Sequence, residues 1–530
     1  MEPPRSRTLP HLLDELCERF PDGMAVVGSG GELSYCELRR RSRAFAGGLA
    51  DLGVAAGDRV ALLMQNRPEW LVAYFGIATL GAATVAINTW ATARELEYML
   101  RHSGSRALVT VDRFLGNDYL TTLAAISRRR DRLPALERVV CLADGMVVEP
   151  GADAVAFDAL AGGPEIAGGV AVAPEAQAAM LYTSGSTSTP KAVPILHHGL
   201  IENGWNIGER LAMVRGDRVW LPSPLFWGFG CENALFVSFT HGAGLVVQDV
   251  FDAGEALRLI EEQRCTMIYA TANMLHAVLD HPDLGARDLG ALRGGATLGT
   301  PAQIERAASL APEICHVYGL TETYANCITT RHDDDLEIRK HSIGYPLPGM
   351  DVVIADPRTH RPLAPGEIGE IKVRGYVTPG YHDDPERNAA SFDDEGYLLT
   401  GDLALVGDDG RIYFRGRLKE MIKTGGINVS PIEVEEALRD HPAVREAFVT
   451  GVADPSHDEI VGAVIVPAGE GVAAAELTEF CRRTLAAYKV PRAFRFVTAE
   501  QLPVTATGKL QKSRLPELFA GTAARPGEAP

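Results

Sequence analysis

The residue pattern predicts an α/β protein: a large multi-layer N-terminal domain of parallel sheets flanked by helices, with a β-rich subdomain, and then a small α+β C-terminal domain. Three observations carry this reading. Helical periodicities alternate with short apolar runs through the first part of the chain. Beyond about residue 340 the pattern changes to short strands broken by Gly and Pro. After Arg417 a helix, two strands and a second helix follow in close order. The expected boundaries are 1–416 and 417–518, with a disordered tail over 519–530 where Gly, Ala, Pro and Arg dominate.

Taken in order, Leu38 to Leu52 spaces its apolar residues as a helix does, and Arg59 to Met64 reads as a strand. Trp70 to Ala93 carries no charged residue, which raises the question of a membrane span. Gly76, Thr79, Gly81, Thr84, Asn88 and Thr89 interrupt it, so a buried helix followed by the strand Ala83 to Ile87 is expected, and no stable membrane insertion. Ala107 to Val111 and Val139 to Leu142 have the unbroken apolar character of buried parallel strands. Ala143 to Ala173, rich in Gly and Ala, is expected to be a connecting loop. Asp351 to Ala355 and Glu370 to Arg374 are strands of the β-rich part. The C-terminal unit is read as helix Pro431 to Arg439, strands Ala443 to Val452 and Ile460 to Val466, and helix Ala473 to Ala487.

A chain of 530 residues that is 46% hydrophobic can bury several cores. Its formal net charge of −18 argues against a nucleic-acid partner, because phosphates would be repelled. A polyanionic ligand would therefore have to be met by a local positive site. The eight cysteines form no CxxC pair and no zinc spacing, and read as reduced, mostly buried thiols of a cytoplasmic protein. Nothing after Met1 resembles a secretory signal.

The most telling segment is Tyr182-Thr183-Ser184-Gly185-Ser186-Thr187-Ser188-Thr189-Pro190-Lys191, directly after the apolar strand Ala178 to Leu181. Small residues let backbone N–H groups approach phosphate oxygens, hydroxyls add donors, and Lys191 supplies countercharge. It is not the GxxxxGK[ST] loop, because only Gly185 lies ahead of Lys191 and no Ser or Thr follows the lysine. Taken alone, it is also compatible with a Ser/Thr-rich surface turn.

Further motifs narrow the choice: Tyr318-Gly319-Leu320-Thr321-Glu322, Thr400-Gly401-Asp402, Gly416-Arg417-Leu418-Lys419-Glu420, and Pro503 to Leu510 with Gly508-Lys509. In this order and spacing the chain resembles the adenylate-forming superfamily of acyl-CoA synthetases, peptide-synthetase adenylation domains and luciferases, and is nearest in pattern to acyl-CoA or aryl-CoA ligases. The likeness runs from Leu33-Ser34-Tyr35 to Lys509.

The resemblance implies ATP, Mg²⁺ and coenzyme A, or a carrier-protein phosphopantetheine, as cofactors and co-substrates. It implies that Thr183, Ser184, Gly185, Ser186, Thr187, Thr189 and Lys191 bind the outer phosphates. Thr321 would meet the α-phosphate, and Glu322 would hold the metal, as a hard cation suits an oxygen ligand. Gly294, Gly295, Ala296 and Tyr318 would enclose adenine. Asp402 would accept the ribose hydroxyls, with Arg417 beside it. Lys509 would stabilise the charge that builds as the carboxylate attacks. The small domain would be mobile about a hinge at Lys419, bringing Gly425 and Gly426 to the coenzyme A tunnel.

Three departures from the family pattern stand out. Ser188 and Ala192 replace common glycines without removing a donor. Trp227, in Pro224-Leu225-Phe226-Trp227-Gly228-Phe229-Gly230, replaces a common histidine. Trp227 and Phe229 are placed at the acyl pocket and point to an apolar or flat acid, or to an altered second step, although core packing explains the same aromatics. The aspartate that follows phenylalanine in peptide-synthetase pockets is absent at Phe226-Trp227. The expected reaction is formation of a fatty or aromatic acyl-AMP and then its thioester with coenzyme A. An acyl carrier protein as acceptor, another oxyanion such as nitrite, a non-catalytic binding protein of this fold and a homodimer stay open.

Overall fold

The computed structural model describes residues 2–127, 133–143, 154–166, 170–183, 190–424, 427–454, 458–469, 471–504 and 510–519. The chain divides into two compact units, Met1–Val352 with Val373–Leu398, and Val353–Lys372 with Leu399–Pro530.

The first unit holds two large sheets. The seven-stranded sheet runs Lys191–Leu196, Gln177–Thr183, Ala83–Ala86, Arg59–Leu63, Ala107–Val111, Arg138–Leu142 and Ala154–Ala156. Every neighbouring pair is parallel except the hairpin of the first two strands. Apolar strands such as Ala107–Val111 are buried along their whole length, which is what a parallel sheet covered on both faces requires.

The nine-stranded sheet runs Tyr345–Pro346, Ile328–Thr329, Glu313–Tyr318, Gly294–Thr297, Met267–Tyr269, Arg218–Leu221, Gly244–Val247, Met24–Gly28 and Gly31–Ser34. Its centre is parallel and both edges are antiparallel. The uncharged stretch after Trp70 forms the helix Pro68–Thr79, in which every residue but Glu69 is buried, and then the strand Ala83–Ala86. Trp70 stacks on Tyr74 with ring centroids 5.0 Å apart. Among the described residues no helix is long and apolar enough to cross a membrane.

Most residues of the four-stranded sheet Asp351–Ala355, Gly369–Arg374, Leu398–Val406 and Ile412–Arg417 fall in the second unit. That unit also contains a smaller sheet of Ile427–Val429, Ile422–Thr424, Asp458–Pro467 and Val444–Asp454, with Ala493–Phe496 parallel to Asp458–Pro467. The helices Pro431–Arg439 and Ala474–Arg482 cover it, and Val434, Leu438, Val449, Val461, Leu477 and Cys481 form one core.

Three sequence expectations are corrected. Within Ala143 to Ala173, residues 154–156 form a strand and Phe157–Ala161 a short helix. Phe157 and Leu160 are buried, which small Gly/Ala periodicity concealed. The last helix ends at Arg482 rather than Ala487, and a separate turn, Ala487–Lys489, precedes Pro491, which cannot continue a helix and disfavours it at the residue before. Cys17 and Cys36 are not reduced thiols: they are joined in a disulfide with Cα atoms 4.7 Å apart, because the helices Leu9–Arg19 and Tyr35–Asp51 lie side by side. The other six cysteines are buried thiols outside any disulfide.

Candidate active site

The hairpin that carries the Ser/Thr-rich loop fixes where that loop must begin and end. Thr183 and Lys191 are cross-strand partners at the open end of Gln177–Thr183 and Lys191–Leu196. The loop residues between them, Ser184, Gly185, Ser186, Thr187, Ser188 and Thr189, lie outside the described residues. The Thr183 hydroxyl is buried with no partner among the described residues.

From this hairpin Lys191 reaches across to the Tyr318–Glu322 motif. Its Nζ donates to Glu322 Oε1 at 2.7 Å and to the Tyr381 hydroxyl at 3.2 Å, and that hydroxyl donates to the same Oε1 at 2.7 Å. Glu322 is 4% exposed, so the contact is well shielded from water. Burial and the adjoining Glu322 carboxylate hold the Tyr381 phenol well above its ordinary range. Tyr381 was not legible in the sequence, because nothing near it in the chain marks it as more than a loop tyrosine.

The loop after Tyr318 is shaped to present Thr321 and Glu322. Thr321–Thr323 is a single 3-10 turn, braced by the Thr323 hydroxyl, which accepts from Leu320 N–H at 3.0 Å. Two non-glycine residues in the left-handed region follow, Tyr324 at φ 55° and Ala325 at φ 70°. Such backbone persists only when its surroundings impose it. Here Asn203 Nδ2 donates to the carbonyls of Tyr324 (3.2 Å) and Asn326 (2.9 Å), and the Tyr324 hydroxyl accepts from Leu196 N–H at 3.0 Å. The Thr378 N–H donates to the Glu322 carbonyl at 2.8 Å.

Gly294, Gly295 and Ala296 form the strand beside Glu313–Tyr318, with Gly295 opposite Ile314 and Ala296 opposite Cys315. Gly295 sits at φ +139°, and a Cβ there would meet the Ile268 carbonyl oxygen at 2.0 Å, so only glycine fits. Trp227 and Phe229 face different partners. Trp227 belongs to an aromatic cluster with Trp90 (5.5 Å) and Phe226 (6.0 Å), and Phe229 leans on Tyr269 (5.3 Å).

In the second unit, Asp402 and Arg417 are cross-strand partners, with Arg417 Nε 3.1 Å from Asp402 Oδ1. The Asp402 side chain is buried and that of Arg417 is 54% exposed. Lys419 lies in the exposed 3-10 turn Leu418–Glu420. Gly425, Gly426 and Lys509 lie outside the described residues. Thus Lys191, Glu322 and Thr183 come together within the first unit, and Asp402 with Arg417 within the second.

One further residue escaped the sequence reading. Glu232 is the only Asp, Glu, Lys or Arg between Arg218 and Asp249, and it is buried in the π-helix Gly228–Ala234. A lone acid in so apolar a run was the available signal.

Known proteins resemble the chain along nearly its whole length. The family described as AMP-binding enzyme matches residues 13–382, and that described as AMP-binding enzyme C-terminal domain matches residues 433–509. The putative acyl-CoA synthetase YngI of Bacillus subtilis is 33% identical over 96% of both chains. The mitochondrial medium-chain acyl-CoA ligase ACSF2 of Mus musculus is 30% identical, over 96% of this chain and 87% of that one. Among solved structures, the anthranilate CoA ligase AuaEII in complex with anthranoyl-AMP superposes with a TM-score of 0.84 at 29% identity, over 96% of both chains. ATP-bound MatB from Rhodopseudomonas palustris gives the same TM-score at 28% identity, over 96% and 99%. By motif order, fold and relatedness, the chain belongs to the AMP-binding enzymes, the adenylate-forming family whose signature segments it carries.

Proposed function

We propose that the protein uses ATP to activate a fatty or aromatic carboxylic acid as its acyl-adenylate, releasing pyrophosphate, and then passes the acyl group to the thiol of coenzyme A. The observation that carries this reading is the convergence of Lys191, Glu322 and Tyr381 at the open end of the Thr183–Lys191 hairpin. In an acidic chain this is a cation held in place by an acid beside a hydroxyl-rich loop, which suits a polyphosphate. Lys191 turns to the outer phosphates when they arrive, and Thr183 and the loop residues after it add donors. Thr321 meets the α-phosphate.

The donor set also suits magnesium. Both hydrogen bonds of the Glu322 carboxylate among the described residues fall on Oε1, and no cluster of three or more metal-ligating side chains exists there. A single carboxylate with an oxygen to spare fits an ion that brings phosphate oxygens and water as its remaining ligands. Bound there, the ion would neutralise phosphate charge.

Asp402 grips the ribose with Arg417 beside it, and Lys509 attends the attacking carboxylate. The domain boundary falls between 416 and 417, the hinge is Lys419, and Gly425 and Gly426 line the thiol tunnel. The family matches to residues 13–382 and 433–509 lie on either side of that boundary. The relatives named as acyl-CoA ligases favour coenzyme A over a carrier protein as acceptor.

Acid-dependent exchange of labelled pyrophosphate into ATP, run over a panel of fatty and aromatic acids, tests the first step, and thioester formation on adding coenzyme A tests the second. Exchange with no thioester until a phosphopantetheinyl carrier protein is added would redirect the acceptor. No exchange with any acid would remove the proposal.

A further inference from the structure

Glu232 is out of place for a core residue. It is 1% exposed, and neither carboxylate oxygen has a hydrogen-bond partner among the described residues. Its side chain runs back along its own π-helix: a Cβ built on Gly228 would lie 2.6 Å from Glu232 Oε2 and 3.2 Å from Thr321 Oγ. The carboxylate and the Thr321 hydroxyl therefore flank the same bare Cα, and glycine at 228 is what leaves them room.

Among the described residues, no positive charge acts directly on Glu232. Burial is the largest influence on its ionisation and the charge of Glu322 the next, and together they hold the carboxyl well above the usual carboxylate range. The Ala325 N–H, which is given to the Leu320 carbonyl at 3.1 Å, offsets this only in part. Among the described residues, Tyr74, Cys231 and Tyr324 also feel its charge, and all three are themselves buried. The Tyr74 hydroxyl and Asn233 Nδ2 are likewise buried without partners. A buried carboxylate left unpaired is strongly destabilising. Nothing in the packing requires an acid there.

We propose that Glu232 receives a protonated amine of the acid substrate, so that the preferred acids are amino acids whose ammonium lies a few bonds from the carboxylate being activated. This rests on the adenylation reading, which puts the reacting carboxylate near Thr321. An ammonium supplies the missing countercharge and up to three donors for the two orphaned oxygens. A metal is the poorer occupant, since no third ligating side chain joins Glu232 and Glu322 among the described residues. Phe229 and Tyr269, the latter bonded through its hydroxyl to Asn233 Oδ1 at 2.9 Å, would take the carbon skeleton. Glu232 is a specificity residue here, and binding of the ammonium expels its proton to solvent.

The test uses matched acids, β-phenylalanine against phenylpropanoate and β-alanine against propanoate, in the pyrophosphate exchange assay. Wild-type enzyme should favour the amine-bearing member of at least one pair by about a hundredfold in kcat/KM, the size expected for a buried charge pair, and Glu232→Gln should collapse that ratio to below about threefold. Preference for the amine-free acids in the wild type, or a ratio that survives in Glu232→Gln, would overturn the proposal. Calorimetry on the wild type in two buffers of different ionisation enthalpy gives a second readout that needs no variant. Binding of the amino acid should release about one proton more than binding of its amine-free partner, and equal proton counts would overturn it. Absence of exchange with every acid would count against the adenylation reading, and the calorimetric comparison would still decide the role of Glu232.

Discussion

Lys191 and Glu322, 131 positions apart in the chain, are bonded Nζ to Oε1 at 2.7 Å, with the Tyr381 hydroxyl closing the triangle. Each therefore neutralises the other's charge, and on the proposed function nucleotide would separate their tasks. Lys191→Met and Glu322→Gln should each lower exchange by roughly 10²–10³, the usual loss for one preorganised charge. The double variant should lose less than the product of the two, because the groups are in direct contact and are proposed to act on one ligand. Steady-state exchange rates for the three variants check this, and full multiplicativity would separate the two residues functionally.

Asp402 is buried beneath the half-exposed Arg417. Asp402→Ala should raise KM for ATP by about 10–100-fold, the worth of hydrogen bonds to a charged group, while leaving KM for the acid within about threefold. An equal rise for both substrates would argue against a ribose contact.

Lys509 is assigned to the first half-reaction alone. Lys509→Ala should lower acyl-AMP formation by at least about 10²-fold while leaving conversion of supplied acyl-AMP and coenzyme A to thioester largely intact. Single-turnover measurements of the two halves decide it, and comparable damage to both would refute the assignment.

Lys419 occupies the turn Leu418–Glu420 directly after the strand that ends at Arg417. Proline there restricts φ and removes a backbone donor. Lys419→Pro should impair thioester formation more than adenylation if the backbone rotates at this residue between steps. Survival of both steps would move the hinge elsewhere.

Asn203 holds the left-handed residues after Glu322 by two hydrogen bonds to buried carbonyls. Asn203→Ala should destabilise the protein by about 2 kcal/mol, as the Asn326 carbonyl loses its partner and the Tyr324 carbonyl keeps only the Asn326 N–H, and should weaken exchange as the Thr321–Glu322 turn loosens. Chemical denaturation and exchange rates read both effects.

What the sequence disclosed follows from how local each signal is. The uncharged run after Trp70 became a buried helix and a strand as its turn residues imply, and Pro431–Arg439 ends where predicted. The Thr183–Lys191 hairpin was half legible: its residue types pointed to an anion loop, yet the antiparallel return strand was not foreseen. Strand order was hidden, since Met24–Gly28 pairs with Gly244–Val247 and two fully apolar strands carry no mark of their partner. The Cys17–Cys36 link was hidden for the same reason, being a consequence of helix packing. Asp402 and Arg417 were named through resemblance, and the structure pairs them across adjacent strands. Tyr381 and Glu232 matter by what they face, which one-dimensional spacing does not record.

The most direct test of the central claim is the fate of oxygen-18 placed in the carboxylate of an acid that the enzyme accepts. Attack of that carboxylate on the α-phosphate, followed by thioester formation, predicts that AMP recovered from the reaction carries label derived from the acid while pyrophosphate carries none. Label absent from AMP, or present in pyrophosphate or phosphate, would contradict an acyl-adenylate intermediate.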